Sequence, residues 1–248
     1  MRRLGIIDWG IGGVSIYAAV KKQLGDVPVV YFSDTGVTPY GKMSRRELVE
    51  RLDTVIEFLK SRGASHIMLG CNAASTAIPF LAAHDVPVEG VIEPAVAMTA
   101  KFKPTKLGLI GGRRTVVSGV YRRAFAEFGI DVRQRIAQPL SRLIESGDTS
   151  STELQAQAKQ ILTPIKHASH ILLACTHYPA ITNVLRSFVS PNTKFIDPTG
   201  EVVKTVKRWK LRPGAADEFL TSGDAASMKR AARSAFGVKI GRAAKIKL

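Results

Sequence analysis

At 248 residues, 45% of them hydrophobic, the chain can bury a full core and hold one large or two modest domains. No apolar stretch approaches the ~20 residues that span a bilayer, and Met1-Arg2-Arg3 leads straight into an apolar run. A membrane span and a signal peptide are therefore not expected, and the cytoplasm is the expected location. The net charge of +16 lies wholly beyond residue 97: residues 1–97 hold 10 basic and 10 acidic side chains, residues 98–248 hold 26 and 10, and none after Asp224 is acidic. Such a surface favours anionic partners, but no nucleic-acid motif accompanies it, so any nucleic-acid binding is expected to be nonspecific.

Apolar runs alternate with amphipathic segments from start to finish. Residues 4–7 read as a strand, 13–24 as a helix, 27–32 as a strand, 44–62 as a helix, and 66–69 and 86–91 as strands. The pattern then repeats, with strands at 106–110, 131–136, 170–173 and 193–196 and helices at 116–128 and 151–166. This order predicts an α/β protein with mainly parallel sheets, right-handed crossovers, and a ligand site beyond the carboxyl ends of the strands.

The two halves look alike. Leu4-Gly5-Ile6-Ile7-Asp8 is echoed by Leu107-Gly108-Leu109-Ile110-Gly111, and a cysteine follows 63 residues after Asp8 and 64 after Gly111. We therefore expect two pseudo-symmetric α/β domains, residues 1–96 plus 208–248 and residues 97–207, with an active-site cleft between them. The hinge is expected near Glu93-Pro94-Ala95, with a return crossing after Asp197-Pro198. Residues 215–236 are expected to pack back on the first domain, and 241–248 to form a mobile basic tail.

Cys71 and Cys175 are the only cysteines. Each follows an apolar run and precedes a stretch that can open a helix, a setting expected to lower a thiol's pKa and face it into a cleft. Ordinary buried cysteines would fit composition equally well, but not the polar Asn72, Thr176 and His177 directly behind them. Two thiols about a cleft, one taking a proton and the other giving one, have the chemistry of a two-base racemase. The His and Cys residues lack metal-ligand spacing and no lysine marks a cofactor pocket, so neither metal nor other cofactor is expected.

Seven segments in order identify a likeness: Ile7-Asp8-Trp9-Gly10-Ile11-Gly12-Gly13, Asp34-Thr35 with Pro39-Tyr40-Gly41, Cys71-Asn72-Ala73-Ala74-Ser75, Gly90-Val91-Ile92-Glu93-Pro94-Ala95, Glu145-Ser146-Gly147, Ala174-Cys175-Thr176-His177-Tyr178-Pro179 and Ile196-Asp197-Pro198. Over nearly its whole length the chain resembles the glutamate racemases, cofactor-independent enzymes of the aspartate/glutamate racemase superfamily that supply D-glutamate for peptidoglycan. The resemblance implies that Cys71 and Cys175 are the paired acid and base on opposite faces of the substrate α-carbon. It implies that Asp8 assists on the Cys71 side, and Glu145 and His177 on the Cys175 side. Tyr40 and Gly41 match positions that bind substrate through the backbone, and Asn72 and Thr176 match groups that hold its α-amino and α-carboxylate ends. Pro39, Thr115, Trp9 and Ala73 complete the expected substrate-binding set. The implied partner is a small amino acid, and a homodimer is compatible with the resemblance.

Three positions depart from the family pattern. Trp9 stands where serine is usual, Ala73 where threonine is usual, and Gly112 where threonine is frequent. Each unpaired polar group left on a bound substrate costs roughly 1 to 3 kcal/mol. The chain therefore reads as a working racemase with altered preference or, alternatively, as a diverged racemase-fold protein with a binding or regulatory role.

Overall fold

The computed structural model describes residues 2–248. The chain runs β1 (Arg3–Asp8), α1 (Val14–Leu24), β2 (Val29–Ser33), α2 (Arg45–Ser61), β3 (Ala64–Leu69), α3 (Asn72–Ser75), β4 (Val88–Gly90) and α4 (Ile92–Lys101). It continues through β5 (Leu107–Gly111), α5 (Arg113–Val117), α6 (Val120–Ala126), β6 (Val132–Ile136), α7 (Gln138–Glu145), α8 (Thr152–Leu162), β7 (His170–Ala174), α9 (Thr182–Arg186) and β8 (Lys194–Ile196). The last elements are α10 (Thr199–Arg208), β9 (Glu218–Thr221), α11 (Ala225–Phe236) and β10 (Ala244–Lys245).

Two sheets result, ordered β10-β9-β2-β1-β3-β4 and β6-β5-β7-β8. Every strand pairing in both is parallel. The central strands are continuous apolar runs because both of their faces are covered, as in β1, β2 and β5. Strip β9 and β10 away and the first sheet has the order of the second, with β1 matching β5 and β3 matching β7. In each sheet the winding direction reverses at that pair, so the crevice between those two strand ends is where a ligand site belongs.

Helix α2 shows how the sequence secures one layer. Ser44 and Glu47 form a reciprocal capping box at its start, an arrangement in which loss of the cap costs about 1 kcal/mol. Leu48, Leu52, Val55, Ile56 and Leu59 fall on one face and are buried with Ile7, Val30 and Leu69 of the sheet, each contributing roughly 1.5 to 3 kcal/mol. A second core runs from Leu4, Ile6 and Met68 of the first sheet to Ile110 and Leu173 of the second, joining them through one apolar interior. A third lies under α4 and α6, around Leu109, Phe125 and Leu172.

Some local expectations are corrected. The helix expected over 116–128 is two helices, α5 and α6, because Gly119 takes a left-handed conformation (φ 67°) between them. The helix expected over 151–166 ends at Leu162, and Pro164 stands in a separate 3-10 turn. Glu93, Pro94 and Ala95 lie in the first turn of α4, the helix that carries the chain from one sheet to the other. Residues 241–248 are not a free tail. There β10 pairs with β9, the Ile246 N–H donates to the Thr221 carbonyl at 2.8 Å, and Ile240 is buried. The alternation of lysine with apolar residues at the end of the chain is that of an edge strand with one face inward.

Candidate active site

Cys71 follows β3 after one residue, Gly70, in extended conformation at the start of α3. Cys175 directly follows β7. The two thiols thus end topologically equivalent strands, and both are free and half-buried. They open into one cavity of about 680 Å³. Every site residue expected from the sequence lines it: Asp8, Trp9, Pro39, Tyr40, Gly41, Cys71, Asn72, Ala73, Thr115, Glu145, Cys175, Thr176 and His177.

Around Cys175 runs a chain of polar contacts. His177 Nδ1 lies 3.7 Å from Cys175 Sγ, and its Nε2 lies 2.7 Å from Glu145 Oε2. The same carboxylate oxygen accepts the Ile11 N–H at 3.0 Å, so Glu145 also ties the end of α7 to the loop after β1. Burial by itself would lower the pKa of His177, but the Cys175 sulfur and the Glu145 carboxylate outweigh it and hold the ring well above the ordinary histidine range.

On the Cys71 side Asp8 is fully buried. Its Oδ2 accepts from the Gly13 N–H at 2.5 Å and from Thr176 Oγ1 at 3.4 Å, while its Oδ1 has no hydrogen-bond partner among the described residues. Burial raises its pKa, with His177 opposing and Glu145 adding to the rise. The expectation of a lowered Cys71 pKa is overturned: burial and the Asp8 charge push this thiol well up, against the N–H groups of Ala74 and Trp9. Helix α3 spans only four residues and brings too few aligned dipoles to prevail.

Two glycines make the approach of the sheets possible. A side-chain carbon on Gly12 would lie 2.5 Å from His177 Nδ1 and 2.8 Å from Asp8 Oδ2, and one on Gly10 would run into the Glu145 carboxyl. Of the groups expected to bind substrate, Asn72 accepts from the buried Tyr121 hydroxyl at 2.7 Å through Oδ1, which leaves its amide nitrogen for the cavity. The Tyr40 hydroxyl donates to Asp34 at 2.7 Å, and Arg51 grips both oxygens of that carboxylate. Trp9 directs its indole N–H to the Val37 carbonyl at 3.2 Å, so the ring forms a largely apolar section of the cavity wall, with Ala73 also in the lining.

The sequence reading missed Lys42, Arg114, Gln138, Ser141, Arg142 and Gln157, all of which line the cavity. A signal for Gln138 and Ser141 was present in the internal repeat. The loop after β2 supplies Pro39, Tyr40 and Gly41, so the corresponding segment after β6 was due to reach the same cleft. Among the described residues no helix is long and apolar enough to cross a membrane.

The model of the family described as Asp/Glu/Hydantoin racemase matches residues 4–206. The chain belongs to this family. A glutamate racemase of Desulforudis audaxviator (strain MP104C) is 32% identical over 219 residues, which cover 85% of this chain and 80% of that protein. Among solved structures, glutamate racemase isoform RacE1 from Bacillus anthracis superposes with a TM-score of 0.89 at 25% identity, covering 100% of this chain and 98% of that one. Glutamate racemase from Thermus thermophilus, in complex with Beta-chloro-D-alanine, gives 0.87 at 28% identity, with 100% and 97% covered. Membership and these likenesses bear out the α/β fold class and the resemblance read from the sequence, and they make the chain an isomerase of the amino-acid racemase type.

Proposed function

We propose that the chain is a cofactor-independent racemase that inverts the α-carbon of glutamate, or of a related amino acid, with Cys71 and Cys175 as its two bases. One observation carries the reading: the two thiols end equivalent strands of the two sheets and open into the same cavity. We take the sheets as the cores of two domains, residues 1–96 with 208–248 and residues 97–207, and the cavity as the cleft between them.

Cys175 Sγ, beside the His177 imidazolium, accepts the α-proton, and Cys71, which burial and Asp8 keep protonated, donates its proton to the opposite face. Each turnover breaks one C–H and one S–H bond and forms one of each. It leaves Cys71 as the thiolate and Cys175 as the thiol, ready for the reverse direction. The carbanion has no electron sink, so fixed dipoles and exclusion of water must lower the barrier. Asn72 and Thr176 hold the charged ends of the amino acid, and Tyr40 and Gly41 bind it through their backbone. Production of D-glutamate for peptidoglycan, in the cytoplasm, is the role that fits this reaction.

A second reading, a racemase fold that binds without turnover, is favoured by Trp9 and Ala73 standing in the cavity wall where the family usually carries hydroxyls. Exchange of the α-proton in deuterated water, followed by proton NMR over a panel of amino acids with no cofactor added, decides between them. Exchange of glutamate or a close relative supports the racemase. Binding with no exchange of any member supports the second reading.

A further inference from the structure

Beside the cavity runs a contact that neither sheet's elements make alone. Arg114, in α5, donates from Nε to the Tyr40 carbonyl at 3.0 Å and from a terminal nitrogen to the Met43 carbonyl. Both carbonyls belong to the loop between β2 and α2, which comes from the other sheet. Arg114 also lines the cavity.

The same loop is anchored at one further place and closely approached at another. Trp9 holds it from its own side through the Val37 carbonyl. From the opposite side, Gln138 takes the Arg113 N–H at 3.2 Å on Oε1, and that oxygen lies only 3.3 Å from where a side-chain carbon on Gly41 would stand. The ring of Tyr40 is already fixed by Asp34 and Arg51, so Arg114 acts on the segment's remaining freedom, the backbone from Tyr40 to Met43. Among the described residues Arg114 has no carboxylate partner, and burial and the like charge of Arg45 both press on its guanidinium. A strap held by two neutral carbonyls, with no ion pair behind it, can release and re-form as ligand passes.

We propose that Arg114 is a positioning residue that straps the loop of residues 37–43 to α5, setting the width of the cleft mouth and holding the Tyr40 and Gly41 backbone where substrate binds. The assignment of that backbone to substrate rests on the racemase reading; the strap itself does not.

The test compares Arg114→Ala and Arg114→Lys with the full wild-type chain. Its first readout is the rate of alkylation of Cys71 and Cys175 by iodoacetamide, followed by mass spectrometry, which needs no turnover. Its second is KM and kcat for α-proton exchange. The alanine variant should alkylate several-fold faster and raise KM by about tenfold or more while kcat stays within about threefold, the pattern of lost uniform binding. Lysine can reach one carbonyl at a time and should fall between the two, and it carries the comparison alone if the alanine variant does not fold. Wild-type alkylation and KM in the variants, or a fall in kcat with KM unchanged, would overturn the proposal. A wild-type protein that exchanges no α-proton would sink the racemase reading and leave the alkylation rates to judge the strap.

Discussion

Replacing Gly12 by alanine adds one carbon where the loop after β1 lies against Thr176 and His177, which follow β7 of the other sheet. That carbon would stand 2.5 Å from His177 Nδ1 and 2.8 Å from Asp8 Oδ2, and it would also press on Thr176 Oγ1. None of these atoms ends a free surface side chain: Asp8, Thr176 and His177 are all buried, and His177 is held by Glu145. Ordinary contact needs about 3.4 Å, so one side of the cleft must retreat by about 1 Å. A misplacement of about 1 Å can cost roughly 100-fold in rate, or ~2.7 kcal/mol of barrier. Overpacking should also remove about 1 to 3 kcal/mol of stability. The assay is α-proton exchange by the folded Gly12→Ala variant, with a urea titration beside it. A variant that exchanges at the wild-type rate would refute the claim that this approach of the two sheets sets the reacting geometry.

Gly200 supplies the contrasting case: it stands in the first turn of α10 with nothing within 4 Å of where a side-chain carbon would go. Gly200→Ala should stabilise by roughly 0.4 to 1 kcal/mol, raise Tm by about 1 to 4 °C and leave exchange unchanged; an unchanged or lower Tm would count against it. Because the pKa of His177 is raised by folding, its contribution to stability is complete below the unfolded value of ~6.5 and is lost as pH rises through the folded pKa. Glu145→Gln removes one of the groups that raise it, so in urea unfolding at stepped pH the loss of stability above ~6.5 should be smaller and complete at a lower pH than in wild type; superimposable profiles would contradict this. Trp9→Ser with Ala73→Thr should increase glutamate exchange more than either change alone, since groups that hold one substrate act together. Wild-type glutamate turnover equal to that of the double variant would show that the two positions do not restrict the substrate.

The parts of this molecule that were legible in the sequence are those written locally. Alternating apolar and amphipathic runs give the strands and helices, and the echo of residues 4–8 at 107–111 marks two similar halves, which the structure shows as two sheets of shared strand order. The segments around Cys71 and Cys175 give the residues of the cleft because a strand end positions its own next residues. What escaped depends on neighbours distant in the chain. The raised Cys71 pKa comes from burial and from Asp8, on a different strand, and outweighs the local helix effect. Arg114 and Gln138 acquire meaning only where α5 and α7 face a loop from the other sheet. The strand in residues 241–248 needed an edge to join, and its basic residues disguised the inward alternation.

The central claim, proton removal by one cysteine and delivery by the other, is tested most directly by incubating L-glutamate with the protein in deuterated water and resolving the enantiomers early in the reaction. Two bases predict deuterium at the α-carbon of the newly formed D-glutamate while the remaining L-glutamate keeps its proton, with Cys71→Ala and Cys175→Ala each abolishing racemisation. Deuterium appearing equally in both enantiomers from the start, or racemisation surviving in either variant, would contradict the account.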